Sequence, residues 1–244
     1  MKPRHMSGDN ILPLFVLPMV ILPGEIQQLR IFEPRYRQML DDCLLDQKSF
    51  GLVCDDDEKF NGWRGPRNFG CEVEIIHHET MGSNHFVEII GTRKFQIDRV
   101  IEPALPPFSD QSMAELMPEV GIYPDLETIL EQIPENGDYH KLYLAAEVSF
   151  LENEFTVSEE QLEELTTALK SVIKSIGNNI NVEHEILDEW VESRIAIIVK
   201  NDSDTLYSIA SMTISDLEKK YEILSQTESQ EIYDEIMTNL SNIV

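Results

Sequence analysis

Hydrophobic and polar residues follow two different patterns along the chain. In the first part, short apolar runs are separated by turn residues, and several runs alternate with polar positions. A period of two is typical of strands with one buried face. In the last third, apolar residues recur every three or four positions, as in amphipathic helices. The sequence therefore predicts a β domain over residues 1–154 and an α-helical domain over residues 155–244.

The stretch Ile11–Leu40 predicts a strand, a turn, a second strand and a helix. Its two apolar runs are joined through Pro23-Gly24, which is a strong turn signal. Pro34 suits the first position of a helix, where its missing N–H costs nothing. We expect this helix over residues 34–46.

The next part of the chain predicts a small antiparallel barrel or sandwich. Strands are expected over residues 49–54, 71–75, 85–90 and 95–97. A polar loop is expected from Asp55 to Pro66, because four acidic residues and two Gly-containing turn signals follow one another there.

Residues 103–140 are expected to be an insertion in the barrel, because six prolines interrupt them. Within it, residues 126–133 fit a short helix. The strand that closes the barrel has two candidates, Leu142–Leu151 and Ser112–Met117. In the first, Leu144, Ala146, Val148 and Phe150 alternate with other residues as in a barrel strand.

The last third is expected to be helical. The first helix begins at the capping box Ser158–Gln161, with Gly177 as its C-terminal cap. The second covers residues 182–200, with Leu187, Trp190, Val191, Ile195 and Ile198 on one apolar face. A third lies near residues 204–212. The last region begins at a second capping box, Ser215–Glu218, and contains the apolar stripe Ile232, Ile236 and Leu240.

Several of these segments resemble the LON domain, the N-terminal domain of Lon proteases. The resemblance rests on Leu12-Pro13-Leu14-Phe15, on Leu22-Pro23-Gly24, on Ile31-Phe32-Glu33-Pro34-Arg35-Tyr36 and on a G-x-R-x-F segment at Gly91–Phe95. It implies an α+β fold, with a PUA-like antiparallel β-barrel holding one or two short helices, followed by an α-helical bundle. It also implies protein binding rather than chemistry. We expect a stand-alone LON domain without ATPase or protease domains.

The charge balance restricts the partners. The chain has 19 Lys and Arg against 45 Asp and Glu, a net charge of −26. This argues against nucleic acid and against anionic membranes, since both need a basic surface. Residues 1–110 contain 12 basic and 17 acidic residues, so the remainder contain 7 and 28. The acidic second half either attracts a basic partner or keeps the protein in solution.

Cysteine usage and the N-terminus predict a cytoplasmic location. Cys43, Cys54 and Cys71 have no C-x-x-C spacing, and no signal-peptide pattern precedes them. The apolar run Ile11–Leu22 is too short for a bilayer and is broken by prolines.

The motifs for chemistry are weak, so we expect no enzyme activity, no cofactor and no metal. No G-x-x-x-x-G-K-[ST] phosphate loop is present. Ser171 and Lys174 match S-x-x-K but lack the S-D-N and K-T-G partners and lie on a predicted amphipathic helix. His77, His78 and His85 flank a predicted hairpin without H-E-x-x-H spacing, which favours surface or turn histidines.

A candidate binding surface follows the second apolar run. Its residues are Phe32, Glu33, Arg35, Tyr36, Arg37, Trp63 and Arg64. Two interpretations are open for the first group: Glu33 caps the helix or pairs with an arginine while Tyr36 packs in the core, or the arginines border a peptide groove. Trp63-Arg64 lies in a Gly-rich loop, and Trp and Arg are frequent interface anchors.

The chain is expected to be a non-catalytic module that binds polypeptide substrates or partner proteins. The sequence does not determine the oligomeric state of the chain. Two alternatives remain open. One is a regulatory or adaptor subunit of a proteolytic or chaperone assembly, docking through its acidic helices. The other is an enzyme of unrecognised chemistry built around Glu33 and the arginines.

Overall fold

The computed structural model describes residues 10–60, 63–82, 84–108, 110–116, 123–134, 139–151, 157–179, 183–199 and 204–243. They form two compact units. The first contains the described residues up to Val20 and from Ile26 to Leu151, and the second contains Ile21–Glu25 and the described residues after Leu151. The fold is α+β, with a β unit and a helical unit, as the sequence predicts.

The β unit contains six strands and two α-helices among its described residues. The strands are β1 Ile11–Leu17, β2 Ile26–Ile31, β3 Phe50–Phe60, β4 Trp63–Met81, β5 Asn84–Ile101 and β6 Ala145–Phe150. The helices are α1 Pro34–Asp46 and α2 Leu126–Leu130, and a short 3-10 helix covers Gln111–Met113.

Five of the strands close into a barrel. β1 pairs with β3 and with β6, β3 pairs with β4, β4 with β5, and β5 with β6. The β1–β3 pair is parallel and the other pairs are antiparallel. β6 is thus the closing strand, as Leu142–Leu151 predicts, whereas the alternative candidate has a 3-10 helix and turns over its described residues.

The barrel interior is filled around the ring of Phe95, the last residue of the G-x-R-x-F segment. A Cβ on Gly51 or Gly70 would lie only 2.6 or 2.5 Å from Cζ of that ring. Both positions therefore require glycine for close approach. The other buried members of this core are Leu12, Leu14, Val53, Leu144, Ala146 and Val148.

Helix α1 has the bounds that the sequence predicts, and Pro34 lies in its first turn. Its buried face contains Tyr36, Met39, Leu40 and Cys43. The Tyr36 ring packs 4.2 Å from that of Phe15 on β1, centroid to centroid. The helix ends at Gln47, which takes a left-handed conformation with φ of 53°.

The predicted loop from Asp55 to Pro66 is wrong over its described residues. β3 continues through the acidic run to Phe60, and β4 begins at Trp63. The β3–β4 pairing continues because arginines on β4 contact the acidic strand. The Asp55 carboxylate pairs with Arg64 at 2.6 Å, and the Asp55 backbone carbonyl accepts from Arg67 Nε at 3.2 Å. β4 and β5 are correspondingly long, with 19 and 18 residues.

The helical unit contains α3 Glu159–Asn179, α4 His184–Ile198, α5 Asp204–Thr213, α6 Leu217–Ser225 and α7 Ser229–Ile243. The first predicted capping box is confirmed, because Ser158 N donates to Gln161 Oε1 at 3.0 Å and Gln161 N donates to Ser158 Oγ at 3.2 Å. The buried core of the helical unit includes Leu165, Leu169, Val172, Leu187, Val191, Ile195, Ile232, Ile236 and Leu240.

Three details of the helices differ from the prediction. Gly177 lies inside α3 rather than at its cap, and its missing side chain makes room for Leu187, whose Cδ1 lies 2.4 Å from an ideal Cβ. The cap of α6 is Asp216, not Ser215. Trp190 lies outside the buried face of α4, with 48% of its surface exposed.

The second unit also takes in the connection between β1 and β2. Ile21 and Leu22 are buried. Glu25 Oε1 accepts from Lys220 Nζ of α6 at 2.7 Å, and Glu25 Oε2 accepts from Leu22 N at 3.0 Å. The chain therefore passes from the barrel into the helical unit and back before β2 begins. None of the described helices has the length and apolar character needed to cross a bilayer.

Candidate functional site

The β unit has an open sheet edge at β2. This strand pairs antiparallel with β5 from Ile26↔Ile90 to Ile31↔His85 and has no other strand partner among the described residues. The other strands described are paired on both sides within the barrel. Within the described residues, one row of β2 peptide groups therefore has no strand partner, and an edge of this kind is a template for an added strand.

A groove runs beside this edge on the outer face of β2, β5 and β4. Its volume is about 430 Å³. Phe86 lies across from Arg30 on one side and from Glu79 on the other, and 39% of its surface is exposed. Met81, at the end of β4, is 58% exposed. The lining residues are Gln28, Leu29, Arg30, His77, Glu79, Met81, Phe86, Val87 and Glu88.

An aromatic cluster lies where β2 ends. Phe32, 47% exposed, follows the strand and has its ring centroid 6.2 Å from that of Tyr123. Phe108 meets Tyr123 edge-on at 5.5 Å. Arg30, which also lines the groove, holds its guanidinium 5.7 Å from the Phe32 ring centroid. Arg30 thus links the groove to the aromatic cluster.

The residues after Phe32 are engaged in structural contacts. Glu33 is the N-cap residue of α1, but its side chain makes no capping hydrogen bond and instead accepts from Arg35 Nε at 3.0 Å. The Arg35 guanidinium lies 4.3 Å from the Tyr36 ring centroid, and the Tyr36 hydroxyl donates to the Val16 carbonyl at 3.0 Å. Burial raises the pKa of Tyr36 to about 12. Of the two open interpretations, this geometry matches the pairing of Glu33 and the packing of Tyr36 in the core.

Arg37 faces a different part of the sheet, near two histidines. The Arg37 Nε atom is buried and has no hydrogen-bond partner in the part of the chain that the structure describes. His85 Nδ1 and His78 Nε2 lie 3.0 Å apart. Burial lowers the pKa of His85, and the neighbouring His78 and Arg37 lower it further, against Asp41.

Trp63 and Arg64 lie at the tip of the β3–β4 hairpin. Arg64 pairs with Asp55, and the Trp63 backbone pairs with Phe60. The Trp63 side chain and residues 61–62 lie outside the described part of the chain. Of the predicted site residues, the structure brings Phe32, Glu33, Arg35 and Tyr36 together beside the end of β2.

Several residues of this region were not among the predicted candidates. Phe86, Met81 and Tyr123 reach it from distant parts of the sequence. For Phe86 and Met81 a signal existed, since a large apolar residue on the polar side of an alternating strand marks an exposed contact. Tyr123 had no such signal. Within the described residues, no group of three or more His, Cys, Asp or Glu side chains could hold a metal ion.

The fold and this open edge define a class of protein, a β-barrel domain with an attached helical unit of the Lon N-terminal kind. The chain belongs to the family of the ATP-dependent protease La (LON) substrate-binding domain, whose profile matches residues 11–236. Among curated proteins, no sequence matches the chain.

Two solved structures share the fold. One is the Lon N-terminal domain protein from Xanthomonas campestris, with 20% sequence identity and a TM-score of 0.56 over 93% of this chain and 97% of that one. The other is the N-terminal domain of the Mycobacterium avium complex Lon protease, with 14% identity and a TM-score of 0.58 over 95% and 98%. Family membership supports a general role in substrate binding.

Proposed function

We propose that the chain is a non-catalytic module that binds an extended polypeptide along the open edge of β2. The observation that carries this proposal is the combination of three features: a strand edge with no second partner among the described residues, a groove that exposes Phe86 and Met81, and an aromatic cluster at its end. An added strand supplies main-chain hydrogen bonds, and side-chain pockets supply selectivity.

The chemistry of the edge fits a broad polypeptide ligand. Main-chain pairing along β2 does not depend on the ligand's sequence. Phe86 and Met81 offer an apolar surface for every second side chain of an extended segment, since alternate residues point to the same face. The Phe32–Tyr123 pair then provides an aromatic contact where the strand ends.

The local contacts of Glu33 and Tyr36 support binding rather than catalysis in this proposal. Glu33 is paired with Arg35, and the Tyr36 hydroxyl donates a hydrogen bond to the Val16 carbonyl, so these groups serve the local structure. An enzyme built around Glu33 would need convergent reactive groups directed into a pocket. The Glu33 carboxylate is instead directed to Arg35, and the Tyr36 hydroxyl to the Val16 carbonyl.

Binding of an unfolded probe to the full chain tests the proposal. We suggest fluorescently labelled lysozyme, reduced and carboxyamidomethylated, with folded lysozyme as the reference ligand. Phe86→Ala and Phe32→Ala are expected to weaken binding about tenfold each, equivalent to about 1.4 kcal/mol. Ile76→Ala is the matched control, because Ile76 is 48% exposed on β4 but does not line the groove.

Hydrogen exchange gives a second readout of the same site. Residues 26–31 are expected to gain protection when the unfolded probe binds, because the outer peptide groups of β2 become paired. If Phe86→Ala and Phe32→Ala bind the probe as tightly as Ile76→Ala, or if the exchange rate in β2 is unchanged at saturation, this edge is excluded as the binding site.

A further inference from the structure

Helix α4 carries a second apolar stripe that its own packing does not use. Its buried face contains Leu187, Val191, Ile195 and Ile198. On another face, Ile186, Trp190 and Ile197 are 60%, 48% and 57% exposed. We call these three residues the outer stripe.

The spacing of the outer stripe suits contact with another helix. At about 100° per residue, the three side chains fall within about 40° of each other around the helix axis. They extend along roughly 16 Å of the helix, at about 1.5 Å per residue. Ser193 lies in the same sector, so the set repeats with the alternating steps of four and three residues found at helix–helix seams.

The rim of the outer stripe is acidic. Glu185 and Glu189 are exposed on one side and make no hydrogen bond or ion pair within the described part of the chain. Glu192 lies on the same side and is paired with Lys170. On the other side of the stripe, the guanidinium of Arg194 lies 5.4 Å from the Trp190 ring centroid.

These features select the kind of partner. Two free carboxylates beside exposed isoleucine and tryptophan side chains complement lysine or arginine next to an apolar stripe. A second copy of the chain is a poor match, because each copy brings a net charge of −26. Tryptophan at the centre of such a patch is a frequent anchor of binding energy.

We propose that the outer stripe of α4 docks a basic amphipathic helix of a partner protein. The partner helix places its apolar stripe on Ile186, Trp190 and Ile197 and its basic side chains opposite Glu185 and Glu189. This surface lies in the helical unit and does not depend on the β2 edge, so the two binding activities are separable by mutation.

The test uses the full chain and two synthetic helical peptides of equal length, one with leucine and lysine and one with leucine and glutamate. Labelled peptide is titrated at two salt concentrations, and helical content of each variant is checked by circular dichroism. The Leu/Lys peptide is expected to bind at least tenfold more tightly than the Leu/Glu peptide, and less tightly at high salt. Trp190→Ser should weaken binding about tenfold, whereas Met212→Ser, which removes a 56% exposed side chain from α5, should not.

Charge reversal provides a variant that keeps the stripe intact. Glu185→Lys combined with Glu189→Lys is expected to reduce the preference for the Leu/Lys peptide to less than threefold. The protection of residues 26–31 from hydrogen exchange at saturation with the unfolded lysozyme probe should be the same in all these variants, which separates this surface from the β2 edge. Equal binding of both peptides, equal losses in Trp190→Ser and Met212→Ser, or a stable dimer that Trp190→Ser dissolves would overturn the proposal.

Discussion

The carboxylate of Glu72 shows how the barrel holds a buried charge. Its residue is only 7% exposed. It accepts from Ser49 Oγ at 2.6 Å, from Arg93 Nε at 2.7 Å and from Thr92 Oγ1 at 3.3 Å. Burial alone would raise the pKa of Glu72, but these hydrogen bonds and the charge of Arg93 outweigh it and lower the pKa below its usual value. The ionised form is therefore part of the folded structure.

Glu72→Gln is expected to lower the free energy of unfolding at pH 7 by about 1–3 kcal/mol, because it weakens hydrogen bonds to a buried charge. Since the pKa of Glu72 is lower in the folded state, its stabilisation is present above the unfolded pKa and is lost as pH falls through the folded pKa. The difference between wild type and variant should thus be constant from pH 7 to about pH 5 and shrink below about pH 4.5. Urea unfolding at each pH measures it. A difference that grows towards acid pH would contradict this account.

At the scale of elements, the N-cap of α6 lies one position later in the structure than the sequence pattern predicts. Ser215-Asp216-Leu217-Glu218 fits a capping box that begins at Ser215. In the structure Asp216 is the N-cap, and its carboxylate accepts from Lys219 N at 3.0 Å. A shift of one position still places an oxygen acceptor at the helix start, because both residues are good caps.

Asp216→Ala is expected to destabilise the protein by about 1 kcal/mol, through loss of the acceptor at the first turn of α6. Ser215→Ala is the matched control, with an expected effect within about 0.5 kcal/mol. Thermal unfolding followed by circular dichroism compares the two. A larger loss for the serine variant would place the cap where the sequence pattern puts it.

The elements also show what the sequence could predict. Helix α1 was predictable to its bounds because Pro34 marks its start and Tyr36, Met39, Leu40 and Cys43 repeat at helical spacing. The extension of β3 through Asp55 was not, because charged runs favour loops and only pairing with Arg64 and Arg67 accommodates this one. From the sequence, Gly177 was expected to be the C-terminal cap of α3, because glycine is common at that position. In the structure it lies inside the helix, and the close approach of Leu187 is the reason for a glycine there.

The candidate site was predictable only in its local part. Phe32, Glu33, Arg35 and Tyr36 adjoin one another in sequence, so a motif could identify them together. The groove depends on strand register, since Arg30 pairs with Phe86 and Gln28 with Glu88, which are 56 and 60 positions apart in the sequence. Pairing at that range is set by tertiary structure, which no local pattern encodes.

At the scale of the whole molecule, the helical unit is built from two separate parts of the sequence. Glu25 and Lys220 are 195 positions apart, yet their side chains are only 16% and 14% exposed and lie 2.7 Å from each other. The carboxylate also accepts from Leu22 N, which fixes the turn at Pro23-Gly24. This ion pair therefore ties a five-residue segment to α6 within one unit.

A double-mutant cycle with Glu25→Gln and Lys220→Met is expected to give a coupling energy of about 1–3 kcal/mol, because each single change leaves a largely buried charge without its partner. Glu25→Gln should also speed hydrogen exchange in residues 217–225. Lys48→Met is the control, since its pair with Asp46 is exposed and lies in the other unit. Additive single effects, with no change in the exchange of α6, would show that the pair does not hold the segment.

The placement of Ile21–Glu25 has a consequence for how the molecule is made. A ribosome releases these residues early, but Lys220 is added only 195 residues later. Ile21 and Leu22 are buried in the finished protein and belong to the unit whose other described residues follow Leu151, so that unit is complete only late in synthesis. A product released before α6 lacks Lys220, so Glu25 has no ion-pair partner there and that pair cannot hold Ile21–Glu25 in the helical unit.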